Sequence, residues 1–69
     1  MVIIRIEDLR GNYYDAIEQF YIDNNQLPHA LYVEKFEQTF RCTAKSEDKV
    51  HWFMHFEDSD YTWFLLRWS

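Results

Sequence analysis

One cysteine, one glycine, one proline and no long apolar run in 69 residues set several exclusions at once. A lone Cys42 cannot form an internal disulfide, so the chain is not a disulfide-framed secreted domain, and a reducing cytoplasm is the expected setting. No cysteine-based metal quartet is available. The lone Gly11 rules out a glycine-rich phosphate cradle, and no serine stands beside a base in a nucleophile motif. The opening VIIRI is too short, and too soon interrupted by charge, for a signal peptide or a membrane span. Basic charge is also scarce: seven Lys and Arg against twelve Asp and Glu give a net charge of −5. That balance favours solubility and repels nucleic acid and anionic membranes at long range.

Apolar weight is abundant. The chain is 48% hydrophobic and 20% aromatic, with six Phe, five Tyr and three Trp. Rings of this size bury about 150–250 Å² each, which supplies one core and argues against disorder. Residues 1–69 are therefore expected to form a single compact domain.

Periodicity gives the order of elements. Val2 to Ile6 reads as a first strand and Asp8 to Gly11 as a turn. Asn12 is a plausible helix cap, and Tyr13, Tyr14, Ala16, Ile17, Phe20 and Tyr21 give the helix a wide apolar face. Asn24 and Asn25 tolerate the left-handed residue that ends helices, and Pro28 suits the start of another. In HALYVEKFEQTF, Ala30, Val33, Phe36 and Phe40 fit a helical stripe and fail strand alternation. Arg41 to Lys45 alternates as a strand, Ser46-Glu47-Asp48 is turn chemistry, and Lys49 to Phe56 reads as the returning strand. Ser59 can cap a last helix carrying Tyr61, Phe64, Leu65 and Trp68; a fourth strand is the rival reading there. The sum is a two-layer α+β domain, β-α-α-β-β-α, with a small three-stranded sheet covered on one face by helices.

Strand alternation then sorts the side chains. Val2, Ile4, Ile6, Cys42, Ala44, Trp52, Met54 and Phe56 are predicted on the covered face. Ile3, Arg5, Arg41, Thr43, Lys45, His51, Phe53 and His55 are predicted on the open one. A ring among cations on an open sheet is the arrangement that single-stranded nucleic-acid binders use. Arg5, Arg41, Lys45, His51, Phe53 and His55 are the residues that would serve it here, against the alternative of an ordinary solvated face. His51 and His55, four apart on a strand, lie about 13 Å apart at about 3.3 Å per residue, too far to share a metal ion, so no metal or cofactor is expected. Glu7-Asp8 and Glu57-Asp58 fall in turns and read as solvated acids, not as a catalytic pair. No enzyme activity is expected.

Hydrophobes left over from the core point to a protein partner. Trp63 and Leu66 fall outside the inner stripe of the last helix, and with Phe53 or Tyr32 they would form an apolar patch of the kind found at interfaces. Acidic helices would steer a basic partner towards it, and Asp15, Glu18, Asp23, Glu34 and Glu37 with Glu57, Asp58 and Asp60 could instead line a surface that mimics nucleic-acid phosphates. A homodimer across the open sheet face is the third option, bringing His51 and His55 near their mates.

The ending, Phe56 and Tyr61 followed by Phe64-Leu65-Leu66-Arg67-Trp68, resembles the C-terminus of small uncharacterised proteins of tailed bacteriophages, acidic chains that often end in F-x-L-R/K-W. The resemblance is confined to that ending. It implies a phage gene product acting in the bacterial cytoplasm, a modulator or inhibitor that binds a host or defence-system protein. It assigns no functional residues.

Overall fold

The computed structural model describes all of residues 1–69. Strand β1 (Val2–Arg5) runs into a single 3-10 turn at Ile6–Asp8, followed by α1 (Gly11–Asn24), α2 (His29–Phe40), β2 (Thr43–Lys45), β3 (Phe53–Phe56) and α3 (Asp58–Trp68). This is the expected β-α-α-β-β-α order, and the last segment is a helix, not a fourth strand. The three strands form one antiparallel sheet in the order β1-β3-β2.

Alternation along the strands places Val2, Ile4, Ile6, Cys42 and Ala44 against the core, with Met54 and Phe56 fully buried. The helices bring Phe20, Phe36, Phe40 and Phe64 onto that face, and Leu9 closes one end. Leu9 sits in a segment that the sequence reads only as a turn, yet it is a core residue, 7% exposed. The rings meet edge-on or tilted, Phe20 to Phe36 at 5.4 Å, Phe36 to Phe40 at 4.8 Å and Phe56 to Phe64 at 5.0 Å. Such pairs contribute about 0.5–1.5 kcal/mol beyond area burial. The Tyr13 hydroxyl donates to the Leu65 carbonyl at 3.0 Å, tying α1 to α3.

Element ends differ from expectation in several places; α3, for one, starts at Asp58 after Glu57, so that Ser59 lies inside it and does not cap it. Helix α1 starts at Gly11, with Asn12 already inside it and no side-chain cap. Gly11 has φ +60, a left-handed conformation that costs a residue with a Cβ about 1–2 kcal/mol. Nothing lies within 4 Å of a Cβ built there. Gly11→Ala is therefore expected to lower stability by about 1–2 kcal/mol through backbone strain alone, read as a lower urea midpoint with an unchanged slope. At the other end Asn25 is right-handed, so the two asparagines do not supply a left-handed stop. Asn24 is instead buried, its side-chain amide donating to the Phe20 carbonyl at 2.9 Å. The left-handed residue comes after α2, at Arg41 with φ 54, where the Cys42 N–H returns to the Glu37 carbonyl at 3.2 Å.

Strand β3 is half as long as KVHWFMHF suggests. Asp48 Oδ1 accepts the backbone N–H groups of Val50 at 2.9 Å and His51 at 2.8 Å, and Lys49 turns left-handed. The turn therefore takes Lys49, Val50 and His51 out of the strand. Trp52 keeps one rung, its carbonyl accepting from the Ile6 N–H at 3.0 Å.

Candidate functional site

Two surfaces are distinctive, and the expected candidates divide between them and α3. On the open sheet face, the register sets Arg5, Phe53 and Lys45 in one cross-strand row and Ile3, His55 and Thr43 in the next. The central ring is thus flanked by two cations, as the sequence predicts. Other members of that group lie elsewhere. Arg41 caps α2, with its guanidinium 4.0 Å above the Trp63 ring. His51 sits in the turn, Nδ1 at 2.7 Å from Asp48 Oδ2 and Nε2 at 3.7 Å from Glu7 Oε1, while Arg5 Nε pairs with that same Glu7 carboxylate. Two of the expected cations are therefore already engaged within the chain, and carboxylates border the face.

Asp48 organises this turn. Its carboxyl is held well below the usual range, first by the His51 backbone N–H, then by the His51 ring and the Val50 N–H. A depressed folded-state value means that the ionised carboxylate favours the folded turn. Its contribution is complete above the unfolded carboxylate pKa of about 3.9 and is lost progressively as pH falls below that towards the folded value. The stability difference between wild type and Asp48→Ala is accordingly expected to shrink as urea titrations are moved from pH 5 down to pH 2.

The second surface is a groove of about 670 Å³ lined by α1 and α2, by Ile6 and by Val50 and Trp52 of the β2–β3 connection. Its floor is Ile17, Val33, Phe36 and Ala44, and its walls carry Tyr14 and Tyr21 from α1, Tyr32 from α2, and Val50 and Trp52 from the turn. Tyr14 is 46% exposed, Tyr21 58% and Val50 73%. The Tyr21 and Tyr32 rings meet edge-on at 6.4 Å, and His29 stands 5.7 Å from Trp52. Burial, with a smaller contribution from Tyr21, pushes the Tyr32 phenol up. Glu7 and Glu18 are the carboxylates of the lining, and no Lys or Arg belongs to it.

The four aromatic-patch candidates are not gathered in one place. Tyr32 lines the groove, Phe53 lies on the open sheet face, and Trp63 and Leu66 are on α3. Trp63 packs against the core beneath Arg41, whereas Leu66 is 75% exposed. Sequence reading missed Tyr14, Tyr21 and Val50 as site residues and has Glu18 only as one of several helix acids. The signal was present: at about 100° per residue, Tyr14 and Tyr21 fall beside, not on, the line of Tyr13, Ile17, Phe20 and Asn24. Helix α1 thus carries more apolar width than one core contact can use.

The lining of the groove carries no Ser, Thr, Cys or Lys. It has no nucleophile paired with a base, and nowhere in the chain do three or more His, Cys, Asp or Glu come together in a metal-binding cluster. No helix is long and apolar enough to cross a membrane. Compared with known protein families, with curated proteins and with solved structures, the chain matches none of them.

Proposed function

We propose that this protein acts by binding another protein, without catalysis, through the groove between α1 and α2. The observation that carries the reading is the exposure of Tyr14, Tyr21 and Val50 around an apolar floor. Aromatic residues at the centre of a concave apolar surface are the usual anchors of protein interfaces. Within that reading, the resemblance of the C-terminal segment supports a phage-type modulator or inhibitor of a host or defence protein in the bacterial cytoplasm. The residues that carry the resemblance are mostly structural: Phe56 and Phe64 are buried, and Tyr61, Leu65 and Trp68 pack on the core. The role therefore rests on the groove and not on that ending.

A second reading is favoured by the row Arg5, Phe53 and Lys45, which suits a stacked base between two phosphate contacts. Against it stand the net charge of −5 and the engagement of Arg5 by Glu7.

The two separate in one experiment, capture of partners from bacterial lysate by tagged protein with and without nuclease. Groove binding predicts a nuclease-resistant protein partner, lost with Tyr21→Ser and kept with Phe53→Ser and Leu66→Ser. A partner lost only with Phe53→Ser, or only after nuclease, would reverse the assignment in favour of nucleic acid on the open sheet. Trp63→Ala is a poor probe, since removing that ring also removes core packing and the stack with Arg41.

A further inference from the structure

Tyr14, Glu18 and Tyr21 lie one turn apart along α1, at spacings of four and three residues that bring helix side chains together. All three line the groove. Glu18 therefore stands between two half-exposed phenol rings, and it has no hydrogen-bond or ion-pair partner within the chain, whereas Glu7 is already paired with Arg5 and approached by His51. Across the groove stand Tyr32 and Trp52. The chain's own seven Lys and Arg are all absent from the lining. A free carboxylate between aromatic faces, over an apolar floor and with no cation of its own, is complementary to one kind of group. That group is a planar cation carried on an apolar stem.

We infer that the α1 wall of the groove takes an arginine side chain presented by an otherwise apolar segment of the partner, the guanidinium lying against Tyr14 or Tyr21 and paired with Glu18. This rests on the reading of the groove as the partner surface and names what the partner offers there. Arginine fits better than lysine because its planar guanidinium stacks on rings while presenting two donors to one carboxylate. A segment of helical or extended form with apolar residues on either side of the arginine would fill the floor over Ile17, Val33 and Phe36.

The test uses a defined probe: a peptide of about sixteen residues, three to four apolar residues per two turns, with one central arginine. Beside it stand two copies in which that arginine is citrulline, its neutral near-isostere, or glutamate. Backbone amide shifts of the labelled protein are followed through each titration. The expected result is perturbation centred on Tyr14, Glu18, Tyr21 and Tyr32, with affinity falling on the order of tenfold from arginine to citrulline and further with glutamate. Glu18→Gln, an exposed and unpartnered position whose change should leave the fold intact, is expected to erase the arginine preference while retaining residual binding. Equal binding of all three peptides in the groove would overturn the arginine assignment and leave the groove reading standing. Perturbation of the open sheet or α3 instead, no binding by any peptide, or groove shifts that track protein concentration without peptide would overturn both.

Discussion

Phe40→Ala is expected to remove about a third or more of the folding stability, the largest loss of any single substitution considered for this chain. Phe40 is 1% exposed and lies among Phe36 at 4.8 Å, Trp68 at 5.5 Å, Phe20 at 5.6 Å and Phe64 at 6.2 Å. It thus joins both central helices to α3. Truncating a buried phenylalanine costs about 3–5 kcal/mol, as lost transfer energy and as a cavity that neighbours fill only in part. A chain of 69 residues has a total of about 3–10 kcal/mol at the usual 0.05–0.15 kcal/mol per residue. One substitution therefore removes a large share of the total, and the ring contacts with four neighbours, two edge-on and two tilted, go with it. Near-UV circular dichroism and a urea titration read the outcome: the aromatic signal should weaken and the midpoint should fall by about a third or more. A variant with a native near-UV spectrum and a midpoint close to wild type would show that the core is not organised around this ring.

Cys42 is expected to resist thiol reagents in the folded protein by about three orders of magnitude. Burial, and then the Glu37 carboxylate, push its thiol up to about 12. Reaction proceeds through the thiolate, and an unperturbed cysteine has a pKa of about 8.5. At pH 8 the thiolate fraction would fall from roughly one quarter to roughly one ten-thousandth by those two values. Limited access to the sulfur slows reaction further. Labelling by a maleimide or by a chromogenic disulfide should then be governed by opening of the fold, slow in buffer and fast in urea, with a rate that follows global stability. The Gly11→Ala strain makes this checkable in a second way, since that variant should label faster without any change at Cys42 itself. Rapid labelling of the native wild type would contradict the placement of this cysteine against the core.

Much of the architecture can be read from the amino-acid order, because the elements that formed as expected are those whose burial matches their period. Val2, Ile4, Met54 and Phe56 alternate onto one face, and Phe36 and Phe40 lie one helical turn apart. Discrepancies arise where a side chain competes with the backbone. KVHWFMHF alternates well enough for an eight-residue strand, but Asp48 captures two of its N–H groups and converts its first half into a turn. Polar residues of this kind offer the chain an alternative to the ladder, and a count of apolar periods does not register it. His51 left the open sheet for that reason, and the nucleic-acid reading lost a member with it.

The site was less legible than the fold. A groove is made by the angle between two helices, and neither helix alone reveals it. Tyr14 and Tyr21 look like ordinary members of the wide apolar face of α1 until α2 is seen to cover only part of it. Val50 reads as a strand residue in the sequence and is instead a turn residue that lines the groove. Trp63, conversely, reads as a leftover hydrophobe on α3, yet it is partly covered by Arg41, whose side chain strand alternation predicts on the open sheet face. The cost of the left-handed backbone at Arg41, about 1–2 kcal/mol for a residue with a Cβ, is offset in part by that stack.

The most direct test of the groove as the partner surface is site-specific photocrosslinking in bacterial cells, with a benzophenone side chain placed in turn at Tyr21, Phe53 and Leu66. These positions sample the groove, the open sheet and the outer side of α3 on one fold. A discrete protein adduct is expected from Tyr21 and none from the other two. An adduct from Phe53 or Leu66 with Tyr21 silent, or an adduct to nucleic acid from Phe53, would contradict it.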